Sequence, residues 1–142
     1  AFGNGGSVVS GVGTITYFPP NVSGTDSGLY NQRYYKVIDD QSPRNVDPAR
    51  NRIQVRHSQG QTYADIVATC ILDFNEPSGQ EAFDDLTTSE GDFVFDELGI
   101  IGFEPDAPNG LGKLLTHVVF HPIQKSLNRS IEVVYTLRIV VG

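Results

Sequence analysis

The residues whose types and spacing suggest chemistry are few. His117 and His121 stand four residues apart, a spacing that on a helix puts two zinc ligands on one face. The surrounding Leu114–Phe120 reads as a strand, where the same spacing separates them by roughly 13 Å, too far to share a metal. The acidic doublets Asp39/Asp40, Asp84/Asp85 and Asp96/Glu97 invite a calcium reading. Neighbours on a strand point to opposite faces, however, and none of the doublets lies in a spaced Asp/Gly loop, so solvated charge is the expected account. A carboxylate pair for glycoside hydrolysis is set by the fold and not by spacing, and the chain has no Trp to serve as a sugar platform. Gly3-Asn4-Gly5-Gly6 and Gly11-Val12-Gly13 resemble a phosphate loop only in glycine count, because no Lys-Ser/Thr follows. There is no Gly-x-Ser-x-Gly elbow, His57 is isolated, and the single Cys70 reads as a buried apolar thiol with no disulfide partner. The expectation is a protein with no catalytic, cofactor-binding or metal-binding residues, and not an enzyme.

Charge narrows the partners. The formal net charge is −7 over 142 residues. From Asp73 to Asp106 there are eleven acids and no Lys or Arg, while Arg33, Lys36, Arg44, Arg50, Arg52 and Arg56 form a basic stretch diluted by Asp39, Asp40 and Asp47. A polyanion would be repelled by the first and finds no dense stripe in the second, so nucleic acid is not expected as a main partner. No apolar run approaches the roughly 18 residues of a membrane span, and no membrane partner is expected. Ala1 is the kind of small residue left when a start Met is removed, and the opening has no signal-peptide character, which predicts a chain made in the cytosol.

The elements that must position these residues are strands. Thr14–Phe18 is β-branched and aromatic and stops at Pro19-Pro20; Arg33–Ile38 and Ile53–His57 follow, separated by a long irregular connection containing Pro43 and Pro48. In Tyr63–Phe74 strict alternation puts Ile66, Ala68, Cys70, Leu72 and Phe74 on one side. Phe93–Ile101 and Lys113–His121 are joined across an Asn109-Gly110 turn signal, and Pro122 is expected to end the second. The closing strand, with Ile131, Val133, Tyr135, Leu137, Ile139 and Val141 on one side, is expected to be central to the core. The fold class expected is all-β, with a single antiparallel β-sandwich or barrel-like domain over residues 14–142 and a flexible Gly-rich N-terminal arm over residues 1–13.

Phe95-Asp96-Glu97-Leu98-Gly99-Ile100, Leu114–Ser126 with its His117-Val118-Val119-Phe120-His121-Pro122 centre, Asn128-Arg129 and Ile131–Ile139 carry a resemblance. Together they resemble small virion structural proteins of tailed bacteriophages, in particular tail-fibre and baseplate-attachment domains. The likeness covers about a third of the chain, near its C-terminus. It implies a structural protein of the virion that partners other virion proteins and copies of itself as a homo-oligomer. The tail, baseplate or fibre-attachment, neck or collar, and capsid-decoration layers are all compatible, and no catalytic residues carry over. The alternatives are a soluble carbohydrate- or peptide-binding module and, further off, a small glycoside hydrolase. The candidate interface residues are Phe2, Val8 and Val9 of the arm, the bases Arg44, Arg50 and Arg52, and the acids Asp84, Asp85, Glu90 and Asp92. Basic and acidic regions on different sides would dock copies head to tail; neutralisation within one subunit is the competing arrangement.

Overall fold

The structure is a computed structural model, and it describes residues 1–9, 11–21, 28–76, 92–102, 112–126 and 128–140. Every regular element among them is a strand: β1 Phe2–Gly3, β2 Ser7–Val9, β3 Ile15–Tyr17, β4 Gln32–Tyr34, β5 Arg52–Arg56, β6 Tyr63–Leu72, β7 Asp92–Gly102, β8 Lys113–Ser126 and β9 Ile131–Val140. All strand pairs are antiparallel, so the fold is all-β, as the alternation in the sequence predicts. Among the described residues none of the sheets closes on itself. Where one domain over 14–142 is expected, the chain divides into two compact units, Ala1–Tyr35 with Asn75–Asn128, and Lys36–Phe74 with Arg129–Gly142.

In the first unit a four-stranded sheet runs in the order β4-β1-β7-β8, beside a β2-β3 hairpin. The hairpin turns at Gly11 and Gly13, both at positive φ, where a side chain would be strained. The β7–β8 ladder is interrupted twice. Phe95 faces Ile123 and Glu97 faces Val119, so Phe120, His121 and Pro122 stand opposite the single Asp96. Pro122 has no N–H to give, and at this irregularity none is required. The strand therefore passes through Pro122 to Ser126 and does not end at His121 as expected. Leu115 makes the second bulge, since Ile100 faces Thr116 and Ile101 faces Leu114.

The segment expected to be a flexible arm is built into this unit. Phe2 and Gly3 lie as β1 between β4 and β7, and the buried Phe2 ring meets Phe95 at a centroid distance of 5.4 Å. The glycines serve close approach and not mobility. A Cβ on Gly3 would lie 2.8 Å from Glu97 Oε2, and one on Gly5 would lie 2.8 Å from the Asn31 Cβ.

In the second unit β5, β6 and β9 form a sheet in that order. The β6 alternation holds from Ala68 onward: Ala68, Cys70 and Leu72 are buried, whereas Ile66 is only partly covered, Val67 on the other side is buried as well, and Phe74, beyond the strand end, is exposed. The 39–51 connection is irregular, as expected, and is fastened by two buried asparagines. Asn51 Oδ1 accepts from the Ile71 N–H at 2.9 Å, and Asn45 Nδ2 donates to the Asn51 carbonyl at 2.8 Å. The expectation for β9 is corrected. Among the described residues it lies at the sheet edge, and only its first half alternates, with Ile131, Val133 and Tyr135 partly covered; from Thr136 to Val140 every residue is exposed. Alternation fixes which side of a strand is apolar, not what covers that side.

Candidate functional site

Asp96 and Glu97, read from the sequence as solvated charge, are both buried, which overturns that reading. Each is enclosed by donors. Glu97 Oε1 accepts from the Tyr30 N–H and from the His117 ring at 2.8 Å each, and Oε2 accepts from the N–H groups of Gly5 and Asn31 at 2.8 and 2.9 Å. Asp96 Oδ1 accepts from the Gly6 N–H at 2.9 Å, and Oδ2 from the Ser7 N–H and hydroxyl at 2.9 and 2.7 Å. Backbone N–H groups donating to a carboxylate form charge-assisted bonds, which offset the cost of taking it out of water. The Gly-rich segment makes this possible, because its backbone comes close enough to present consecutive donors to two consecutive acids.

His117 completes the cluster. The Asn21 N–H donates to its Nδ1 at 2.8 Å, which assigns the lone pair to Nδ1 and the ring proton to Nε2, donated to Glu97. The imidazole is then neutral, with both nitrogens engaged and neither its side chain nor that of Glu97 exposed. Every polar atom of the pair is used in joining the segments around residues 5, 21, 30 and 117, and none is left to meet a substrate. His121, four residues on, is exposed, and its Nδ1 meets the Tyr17 hydroxyl at 3.1 Å. Among the described residues no group of three His, Cys, Asp or Glu side chains is placed to hold a metal ion.

The candidate interface residues divide. Phe2 is buried within its own unit, while Val8 and Val9 on β2 are exposed. Arg44 and Arg52 are exposed. Arg50 is engaged inside its own unit, with Nε and Nη2 each 2.5 Å from Asp47 and Asp73. Hydrogen bonding to Asp73 and then Asp47 raises the Arg50 pKa, and the same guanidinium, with the Phe74 N–H, holds Asp73 below the ordinary aspartate range. Asp84, Asp85 and Glu90 lie outside the described residues, and Asp92 opens β7.

The surface with most to offer a partner is one the sequence reading treated as core. In the β5-β6-β9 sheet Ile53, Ala68 and Tyr135 are directly opposed, as are Val55, Ile66 and Leu137, with Ile139 opposite Ala64. Directly opposed residues share a face, so this face is apolar throughout. It is covered at its Ala68, Cys70 and Leu72 end and open at the other, with Val55 71 % and Ile139 46 % exposed. On the other face Arg56, Asp65 and Arg138 form a row, and Arg138 Nε meets Asp65 at 2.9 Å while its guanidinium lies over the Tyr63 ring. Hydrogen bonding from Arg138 holds the Asp65 carboxyl below its ordinary range.

The Asp96-Glu97 cluster left one signal in the sequence: two acids set inside an apolar strand. Compared with protein-family models, curated proteins and solved structures, the chain matches none.

Proposed function

We propose that the chain is a structural protein of a tailed-phage virion that works by packing against copies of itself and against other virion proteins. The observation that carries this reading is the open end of the apolar face of the β5-β6-β9 sheet, where Ile53 and Val55 on β5 and Leu137 and Ile139 on β9 flank Ile66 of β6 and are all exposed. A contiguous apolar surface of this kind is a site for protein association. The exposed Val8 and Val9 on β2 add a second patch. The resemblance supplies the class, and two of the residues that carry it have specific tasks: Glu97 gathers the backbone donors, and a Cβ on Gly99 would lie 2.7 Å from the Thr116 carbonyl oxygen. Under this reading the protein resides in the virion, needs no cofactor and performs no catalysis, and sandwich-like sheet packing belongs to the assembled particle.

Mass photometry and light scattering over a concentration series, with electron microscopy of the products, test the reading. The expected result is a discrete oligomer, ring, lattice or fibre, reduced by Val55→Glu. A strict monomer at high concentration overturns it. Binding on a glycan array would then identify a carbohydrate-binding module, and turnover on a polysaccharide panel a hydrolase.

A further inference from the structure

The outer edge of β9 carries a pattern that fits a second copy of itself. Among the described residues β9 pairs only with β6, so its other edge presents unpaired backbone groups along ten residues that include no Pro and no Gly. Edges of this kind are the surfaces to which another strand is added. Natural edge strands are protected by charge, bulges or covering segments, and β9 has just two charged residues, Glu132 and Arg138.

Those two charges lie symmetrically about Tyr135, three residues to either side. We infer that β9 pairs antiparallel with β9 of a second copy about a two-fold axis at Tyr135. The inference rests on the assembly reading above and names its contact. In that register Glu132 faces Arg138 of the other copy at both ends, Val133 faces Leu137, Ile131 faces Ile139, and Tyr135 faces itself. A shift by one residue would set the polar side of one strand beside the apolar side of the other. A shift by two would keep the faces matched but leave neither charge opposite its counterpart. One register therefore satisfies both the apolar alternation and the charges.

The charge pattern continues inward. Within one copy Arg56, Asp65 and Arg138 already stand in one row across β5, β6 and β9. Glu132 of the second copy extends it, giving alternating signs across four strands. Glu132 is exposed and available for this contact. Pairing joins two three-stranded sheets into one of six strands with a continuous apolar face.

The test uses the full chain in a Cys70→Ala background. Opposed antiparallel residues have Cα atoms about 4.5–5.5 Å apart, within the range a disulfide bridges. Under mild oxidation Tyr135→Cys should cross-link to its own copy. Val133→Cys alone should not, since its two copies would lie roughly 13 Å apart. A mixture of Val133→Cys and Leu137→Cys should give the mixed dimer. Independently, Glu132→Arg sets like charges against each other at both ends and should weaken self-association about tenfold by sedimentation. Tyr135→Cys that stays uncross-linked, together with Glu132→Arg that associates like the wild type, overturns the edge. If the wild type still assembles, the edge alone falls and the virion reading stands. A wild type that remains monomeric overturns both.

Discussion

Glu97 and His117 stand on adjacent strands but not opposite each other, since Glu97 faces Val119 and His117 faces Gly99, yet their side chains meet at 2.8 Å with neither exposed. Beside them a Cβ on Gly99 would lie 2.7 Å from the Thr116 carbonyl oxygen and 2.8 Å from Leu29, so the absent side chain lets Leu29 and Leu114 close around that glycine. The contact ties β7 to β8 through side chains near the place where their ladder is irregular.

Glu97→Gln tests this anchor. An amide has one oxygen, so either orientation turns an NH2 group toward two N–H donors, the Gly5 and Asn31 pair or the Tyr30 and His117 pair. Leaving buried donors unpaired costs about 1–3 kcal/mol each, so the variant should lose about 3 kcal/mol or more of unfolding free energy. Urea titration measures it as a lower midpoint at unchanged slope.

Gly3→Ala should also destabilise the first unit. The added methyl would meet the Glu97 carboxylate at 2.8 Å and its Cγ at 2.9 Å, and overpacking of this kind costs about 1–3 kcal/mol. Removing residues 1–6 should do more, because Glu97 would lose the Gly5 N–H, Asp96 the Gly6 N–H and Phe95 its cover from the Phe2 ring; a drop in melting temperature of more than about 10 °C is expected. A truncated chain that melts like the intact one would return the segment to the status of an arm.

Substitutions at buried and at exposed edge positions should separate cleanly. Leu72 and Leu114 are fully buried, and Ala at either should cost about 2–5 kcal/mol. Leu137 is 36 % exposed at the sheet edge, and Leu137→Ala should cost under about 1 kcal/mol in the monomer. Thermal melts at low protein concentration distinguish the two classes.

Acid should loosen the second unit first at its ion pairs. Asp65 and Asp73 have lowered folded-state pKa values, through hydrogen bonds from Arg138 and Arg50 respectively, so their contribution is complete above the ordinary aspartate pKa of about 4 and is lost as pH falls through the folded values. Melting temperature followed from pH 6 to pH 2 should fall below pH 4, and less so in Asp65→Asn with Asp73→Asn. Both pairs are exposed, so added salt should shrink the difference.

Strand positions were largely legible in the sequence because alternation is a local property: Tyr63–Leu72 and the apolar side of Ile131–Val140 emerge from residue order alone. What covers a strand is not local. β9 has a pattern fit for a core, and its place at an edge comes from pairing with one neighbour instead of two. Pro122 has the sequence character of a stop, and the irregularity that accommodates it belongs jointly to β7 and β8. The acidic doublet at 96–97 and the glycines at 3, 5 and 6 looked unremarkable apart, one as solvated charge and the other as slack chain. Their meaning lies in being partners across some ninety residues of sequence.

That separation sets an order of events during synthesis. Phe2 and Gly3 leave the ribosome among the first residues described, but their place in the sheet lies between β4 and β7, and β7 begins only at Asp92. Until then the opening segment has neither Glu97 to receive its Gly5 N–H nor Phe95 to cover Phe2. Closing so long a loop is slow compared with forming neighbouring hairpins. The nascent chain therefore carries β1 with one edge open and its apolar ring uncovered until β7 has been made, and β4 is the one sheet neighbour it can meet before then.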